Sequence, residues 1–107
     1  MKPNLFPALC LTTLLAVTAA PAALAQDHAR QLSERCMLCH GERGENHLLG
    51  IPRIGGREFY DLLATMSRFR TGERLHPVMS AIMQSVDEVE MVEVAGYFSE
   101  QAGAGIN

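Results

Sequence analysis

Cys36-Met37-Leu38-Cys39-His40 places two thiols at i and i+3 and an imidazole directly after the second, the spacing at which a chain attaches a c-type haem. Two cysteines three positions apart can each form a thioether to one of the two vinyl groups on a single porphyrin edge. The adjoining His40 then reaches the iron from below, so one turn of chain sets both tether and proximal ligand. Whatever occupies the opposite side decides between electron transfer, gas binding and catalysis.

Two other chemistries use the same pair of residues. A thioredoxin-like dithiol sits at a strand-to-helix junction within a βαβ pattern, and no strand signal precedes Cys36. A structural zinc site needs a second Cys or His cluster, whereas His28, His47 and His76 are scattered.

The flanking sequence agrees with haem. Residues 1–25 carry Lys2, an apolar run from Leu5 to Ala20, and Ala23-Leu24-Ala25 ahead of Gln26, which together read as a secretory signal with an A-x-A cleavage site. Thr12, Thr13, Thr18 and Pro21 interrupt the run, which is short for a span of roughly 20 residues. Cys10 lies inside it, in a context poor for lipid attachment. Cleavage after Ala25 leaves residues 26–107 as one domain in the periplasm, where bacterial c-type haem is attached, with Cys36 and Cys39 as its cysteines.

A domain of about 80 residues buries only about 60–65 % of the surface its unfolded chain exposes, so small scaffolds need a staple. With both thiols holding haem no disulfide is available, and the macrocycle itself becomes the centre of the core; without it the chain is expected to be largely unfolded. The full chain carries 12 acidic and 9 basic residues, net −3, and its lysine, Lys2, lies in the export segment. Arg53, Arg57, Arg68, Arg70 and Arg74 load the middle, and Asp87, Glu88, Glu90, Glu93 and Glu100 load the end. That asymmetry suits orientation of a charged redox partner, and the acidic balance argues against nucleic-acid binding.

Residues 27–38 contain few breakers and place Ala29, Leu32, Cys36 and Cys39 at spacings of three and four, which predicts a helix delivering the motif at its C-terminal end. Five glycines and Pro52 between residues 41 and 56 predict an irregular loop. Helical period resumes over 57–70 with Phe59, Leu62, Leu63, Met66 and Phe69 on one stripe, ended by Thr71-Gly72. Residues 73–84 read as a second loop or irregular turn broken by Pro77. Ser85-Val86-Asp87-Glu88 reads as a capping box opening a last helix whose apolar face is Val89, Val92, Val94, Ala95 and Phe98, with a frayed tail at 103–107. The expectation is a small all-α domain with three main helices.

For the distal ligand, Met37 lies inside the motif and cannot cross the ring, and Met66 and Met91 fall on apolar helix stripes. Met79 and Met83 remain, with His76 and His47 as a bis-imidazole option. Met79 follows Pro77 and lies 39 positions beyond His40, enough chain to pass around a macrocycle.

The ordered set Cys36-Met-Leu-Cys-His40-Gly41, Gly50-Ile-Pro52-Arg-Ile-Gly-Gly56, Phe69-Arg-Thr-Gly72-Glu-Arg74, Val78-Met79 and Ala95-Gly-Tyr97-Phe98 resembles class I cytochromes c. It is similar in particular to short bacterial members, namely the halves of dihaem cytochromes and the cytochrome subunit of flavocytochrome c sulfide dehydrogenase. The resemblance covers residues 26–107 and implies the class I cytochrome c fold around one covalently bound haem c. The family's ligand methionine precedes its Tyr-Phe pair by the 18 positions that separate Met79 from Tyr97 here, which implies Met79 as sixth ligand. It also implies that the carbonyl of Pro52 accepts the free Nδ1–H of His40. Met83 departs from the small residue common in relatives, and Arg43 and Arg57 are read as surface residues rather than propionate partners.

The expectation is a periplasmic one-electron carrier, not itself an enzyme, with Cys36 and Cys39 as tethers and His40 and Met79 on the iron. Its partners are redox proteins such as a flavoprotein dehydrogenase or a terminal oxidase. The alternative is a dedicated cytochrome subunit of a flavoprotein complex of the sulfide dehydrogenase type, and a third reading is a gas-binding or peroxidatic haem with Met79 off the iron.

Overall fold

A computed structural model describes residues 2–4, 20–48 and 50–101. It is all-α, with four helices in chain order and no strand among the described residues: α1 (Ala20–His40), α2 (Phe59–Thr71), α3 (Pro77–Met83) and α4 (Glu88–Ser99). Most of the expected export segment and the expected tail at 103–107 lie outside the described residues. Among the described residues, no helix is long and apolar enough to cross a membrane.

α1 begins at Ala20, earlier than the breaker pattern placed it, and runs through both cysteines to His40. The carbonyls left over at its end are bonded by the chain that follows. Gly41 N–H donates to Met37 O at 2.9 Å, Asn46 N–H to His40 O at 2.8 Å, and the Asn46 amide side chain to Cys39 O at 2.6 Å. On its inner side Ser33 is fully buried and donates to Ala29 O at 2.8 Å, a small, self-satisfied residue where α1 meets α4.

The glycine-rich stretch is a loop, as its composition implies, and it is tied down rather than free. Gly44 O accepts from Ile54 N–H at 2.9 Å and from Gly55 N–H at 3.0 Å, Gly56 N–H donates to Phe98 O at 2.8 Å, and Tyr97 Oη donates to Glu42 O at 3.0 Å. Gly44 is required by space as well as by backbone. Its φ is +71°, and a Cβ there would lie 2.5 Å from Gly55 N and 2.9 Å from Phe98 Cδ1. Gly72, at the end of α2, has φ +81° but open space around it. Gly72→Ala is therefore expected to cost about 1–2 kcal/mol from backbone strain alone. Gly44→Ala adds crowding to strain and should cost roughly 3–4 kcal/mol, lowering the melting temperature by at least about 12 °C in a domain this size. Thermal unfolding followed by far-ultraviolet circular dichroism separates the two, and equal shifts would remove the packing argument.

α2 carries the expected stripe: Leu62 and Phe69 are buried, and Phe59, Leu63 and Met66 pack partly buried beside them. Two expectations about the following segment are corrected. Residues 77–83 form a helix, not a loop, because Pro77 occupies its first turn, where the missing N–H costs nothing, and His76 caps it. The capping box of α4 is Asp87 with Glu90, not Ser85 with Glu88: Asp87 Oδ1 accepts from Glu90 N–H and Glu90 Oε2 from Asp87 N–H, both at 2.9 Å. Ser85 instead donates to Ile82 O at 2.9 Å and accepts from Arg35 at 3.0 Å. Asp87→Ala should accordingly lose about 1 kcal/mol, whereas Ser85→Ala should lose a few tenths, measured by denaturant midpoints at constant slope.

The inward face of α4 is also re-registered. Met91, Val94, Ala95 and Phe98 are buried at i, i+3, i+4 and i+7, while Val89 and Val92 stand 68 % and 46 % exposed. The core divides in two. Leu62, Val94, Ala95 and Phe98 form one cluster, with Leu32, Cys36 and Ile54 against it. Phe69, Met83, Val86 and Met91 form the other, with Met79 and Ile82 against it. Leu63 and Met66 touch both.

Candidate functional site

Alongside these two clusters lies a cavity of about 520 Å³, within the range of about 300–1,000 Å³ usual for sites that enclose a small molecule or cofactor. Its walls bring together residues from all four helices and the 50–57 loop. Cys36, Cys39 and His40 come from the last turns of α1, Pro52 from the loop, and Met79 and Met83 from α3, while Leu62, Met66, Phe69 and Phe98 supply apolar surface.

His40 is 6 % exposed, and its Nδ1–H donates to Pro52 O at 2.9 Å. That bond places the ring proton on Nδ1, leaving Nε2 as the nitrogen with a lone pair for a metal, and it sets the plane of the ring. Pro52 is held in turn by the loop that Gly44 closes. The two thiols differ: Cys36 is half-buried against the first core cluster, and Cys39 is exposed at the cavity's rim. Burial pushes the Cys36 thiol above its ordinary value, only partly opposed by the neighbouring Arg35 guanidinium, so it is a neutral S–H at neutral pH. A reactive dithiol or a thiolate zinc ligand needs the opposite shift.

Among the described residues no group of three or more His, Cys, Asp or Glu side chains is placed to hold a metal ion. The donor set, the apolar walls and the volume fit a haem.

The spare histidines separate cleanly. His28 lies away from the cavity with Nδ1 2.8 Å from Glu93 Oε2, and His47 Nδ1 accepts from Arg53 Nε at 3.2 Å. His76 does line the cavity, but its Nδ1 accepts from two backbone amides. Met79 is half-buried on the cavity wall; Met83, one turn later, is 2 % exposed within the second cluster. Arg57 reaches the cavity edge while pairing with Asp61 at 2.6 Å.

Sequence reasoning missed three supports of this arrangement. Asn46 pins the end of α1, with no signal beyond its place in a glycine-rich loop. Arg70 donates to Val86 O, and Gln84 to Arg70 O at 2.8 Å, joining α2 to the chain beyond α3. The cap at His76 was signalled by Pro77 at a helix's first position. No protein-family model, curated protein or solved structure matches the chain.

Proposed function

We propose that residues 26–107 form an exported domain of the class I cytochrome c fold that carries single electrons in the periplasm, residues 1–25 being its cleaved signal. The observation that carries this reading is the convergence of Cys36, Cys39, His40 and Met79 on one cavity of about 520 Å³. A haem c bound there supplies one-electron iron chemistry.

Each residue then has a defined task. Cys36 and Cys39 would tether a haem through thioethers to its two vinyl groups. His40 would hold the iron through Nε2, and Pro52 fixes the tautomer and ring plane through the 2.9 Å bond from Nδ1–H. Met79 would hold it through its thioether from the part of the cavity wall formed by α3. With His40 and Met79 both engaged, such a group would supply electron transfer rather than a site for substrate, and the domain would act as a carrier. Leu62, Phe69 and Phe98 exclude water, which keeps the surroundings of a charge that changes by one unit nearly constant. The donors and acceptors are redox proteins.

The test is expression of the full chain in a bacterium that matures c-type cytochromes. The periplasmic product should keep its colour through denaturation and acid–acetone extraction, with one iron per chain, and should show reversible reduction. A colourless, stably folded product with both thiols free to alkylate overturns the proposal.

A further inference from the structure

Met79 is carried by a helix of seven residues, far below the length at which a helix holds itself in water, so its placement depends on the bonds at the helix's start. His76 makes them. Its Nδ1 accepts from the amides of Val78 and Met79, each at 3.2 Å. Its own N–H donates to Ser80 Oγ at 3.0 Å, and its carbonyl accepts from Ser80 N–H at 2.9 Å. Pro77, at the first helical position, has no N–H to satisfy.

The ring is itself held. It stands edge-to-face on Phe69 with centroids 6.3 Å apart, and Phe69 also carries the Arg74 guanidinium 4.8 Å from its centre. The usual residues at such a position are Ser, Thr, Asp and Asn. An imidazole does the same work with one lone pair and adds a rigid body that packs against α2. The same lone pair is then committed: for Nδ1 to serve anything in the cavity, the hydrogen bonds from two backbone N–H groups must first break.

We infer that His76 is a positioning residue for Met79, fixing the backbone of the ligand methionine at its own amide so that the thioether is presented to the cavity in one orientation. The inference rests on the haem reading above, although the bonds at His76 do not. A ligand whose backbone is already ordered loses less freedom on bonding and competes better with ligands from solution. Loss of the cap loosens the first turn of α3 and weakens Met79 in that competition.

The test titrates the ferric holoprotein with imidazole, which displaces the methionine, following loss of the weak red-edge absorption of a sulfur–iron bond. His76→Ala should bind imidazole about fivefold more tightly, the worth of a lost N-cap. His76→Asn, which restores an acceptor to the same amides, should return to within about twofold of wild type. Asp87→Ala removes a comparable cap from α4 and should leave imidazole binding unchanged. If His76→Ala does not assemble, Ser80→Ala, which removes only the return bond, should shift binding about twofold. Wild-type affinity in the His76 and Ser80 variants overturns the inference, as does an equal gain in Asp87→Ala. Absence of the red-edge band from wild type, or its survival in Met79→Ala, overturns the assignment of Met79 as ligand on which the inference rests and is seen before any imidazole is added.

Discussion

Cys36→Ser/Cys39→Ser should yield a chain that carries no colour through acid–acetone extraction, has lost most of its helical circular dichroism and is degraded rapidly in the periplasm. The magnitude follows from the shape of the core. A cavity of about 520 Å³ is partly open to solvent, so the roughly 12 kcal/mol that ~24 cal/mol per Å³ gives for a sealed, dry void of that volume is an upper bound on the cost of leaving it empty. The whole stability of a domain is about 5–15 kcal/mol. The first apolar cluster joins α1, α2 and α4, but residues of all four helices line the cavity, so an unfilled cavity leaves one side of the core without packing partners. The single variants should be graded. Cys39 is exposed, and its serine replacement should keep a folded domain attached through Cys36 alone. Cys36 packs against the cluster of Leu62, Val94, Ala95 and Phe98, where a serine hydroxyl adds a desolvation cost of about 1–3 kcal/mol to the lost tether. Absorbance of the extracted chain, far-ultraviolet circular dichroism and protease sensitivity measure the outcome. A double variant exported in wild-type yield with wild-type helicity would show that the core is complete without a cofactor.

The all-α character was legible wherever apolar period and breakers agreed. α2 is the clearest case, since Phe59 to Phe69 repeats at three and four and Gly72 closes it in a left-handed conformation. The meeting of His40 with Pro52 lay within reach of family resemblance, not of local pattern, because the bond spans a loop whose path is set by Gly44 and Phe98. Errors arose where two local signals competed. Ser85-x-x-Glu88 and Asp87-x-x-Glu90 both spell a capping box, and burial of Val86 and Met91 decides which residue starts the helix. Val89 and Val92 looked like core by composition, yet a shift in helix phase turns them outward. Pro77 reads as a breaker, yet at a helix's first turn it is a starter, and it opens α3, which carries Met79.

Met79→Ala and Met83→Ala should separate ligation from packing, since the two sulfurs sit one helical turn apart on α3 and differ in surroundings. Met79 is half-buried on the cavity wall. Removing it should abolish the red-edge band of the ferric protein. The reduction potential should fall by a few tenths of a volt, a fraction of the roughly 0.8 V that axial ligands command, because a thioether favours the ferrous state. Met83 is 2 % exposed among Phe69, Val86 and Met91. Its truncation should cost roughly 3 kcal/mol, within the range for Met→Ala in a core, and about 12–24 °C in melting temperature, while band and potential stay close to wild type. The two columns of data, spectrum and stability, therefore cross between the variants. The reverse crossing, with the band lost in Met83→Ala and kept in Met79→Ala, would move the ligand one turn along α3 and would require Phe69, Val86 and Met91 to open around it.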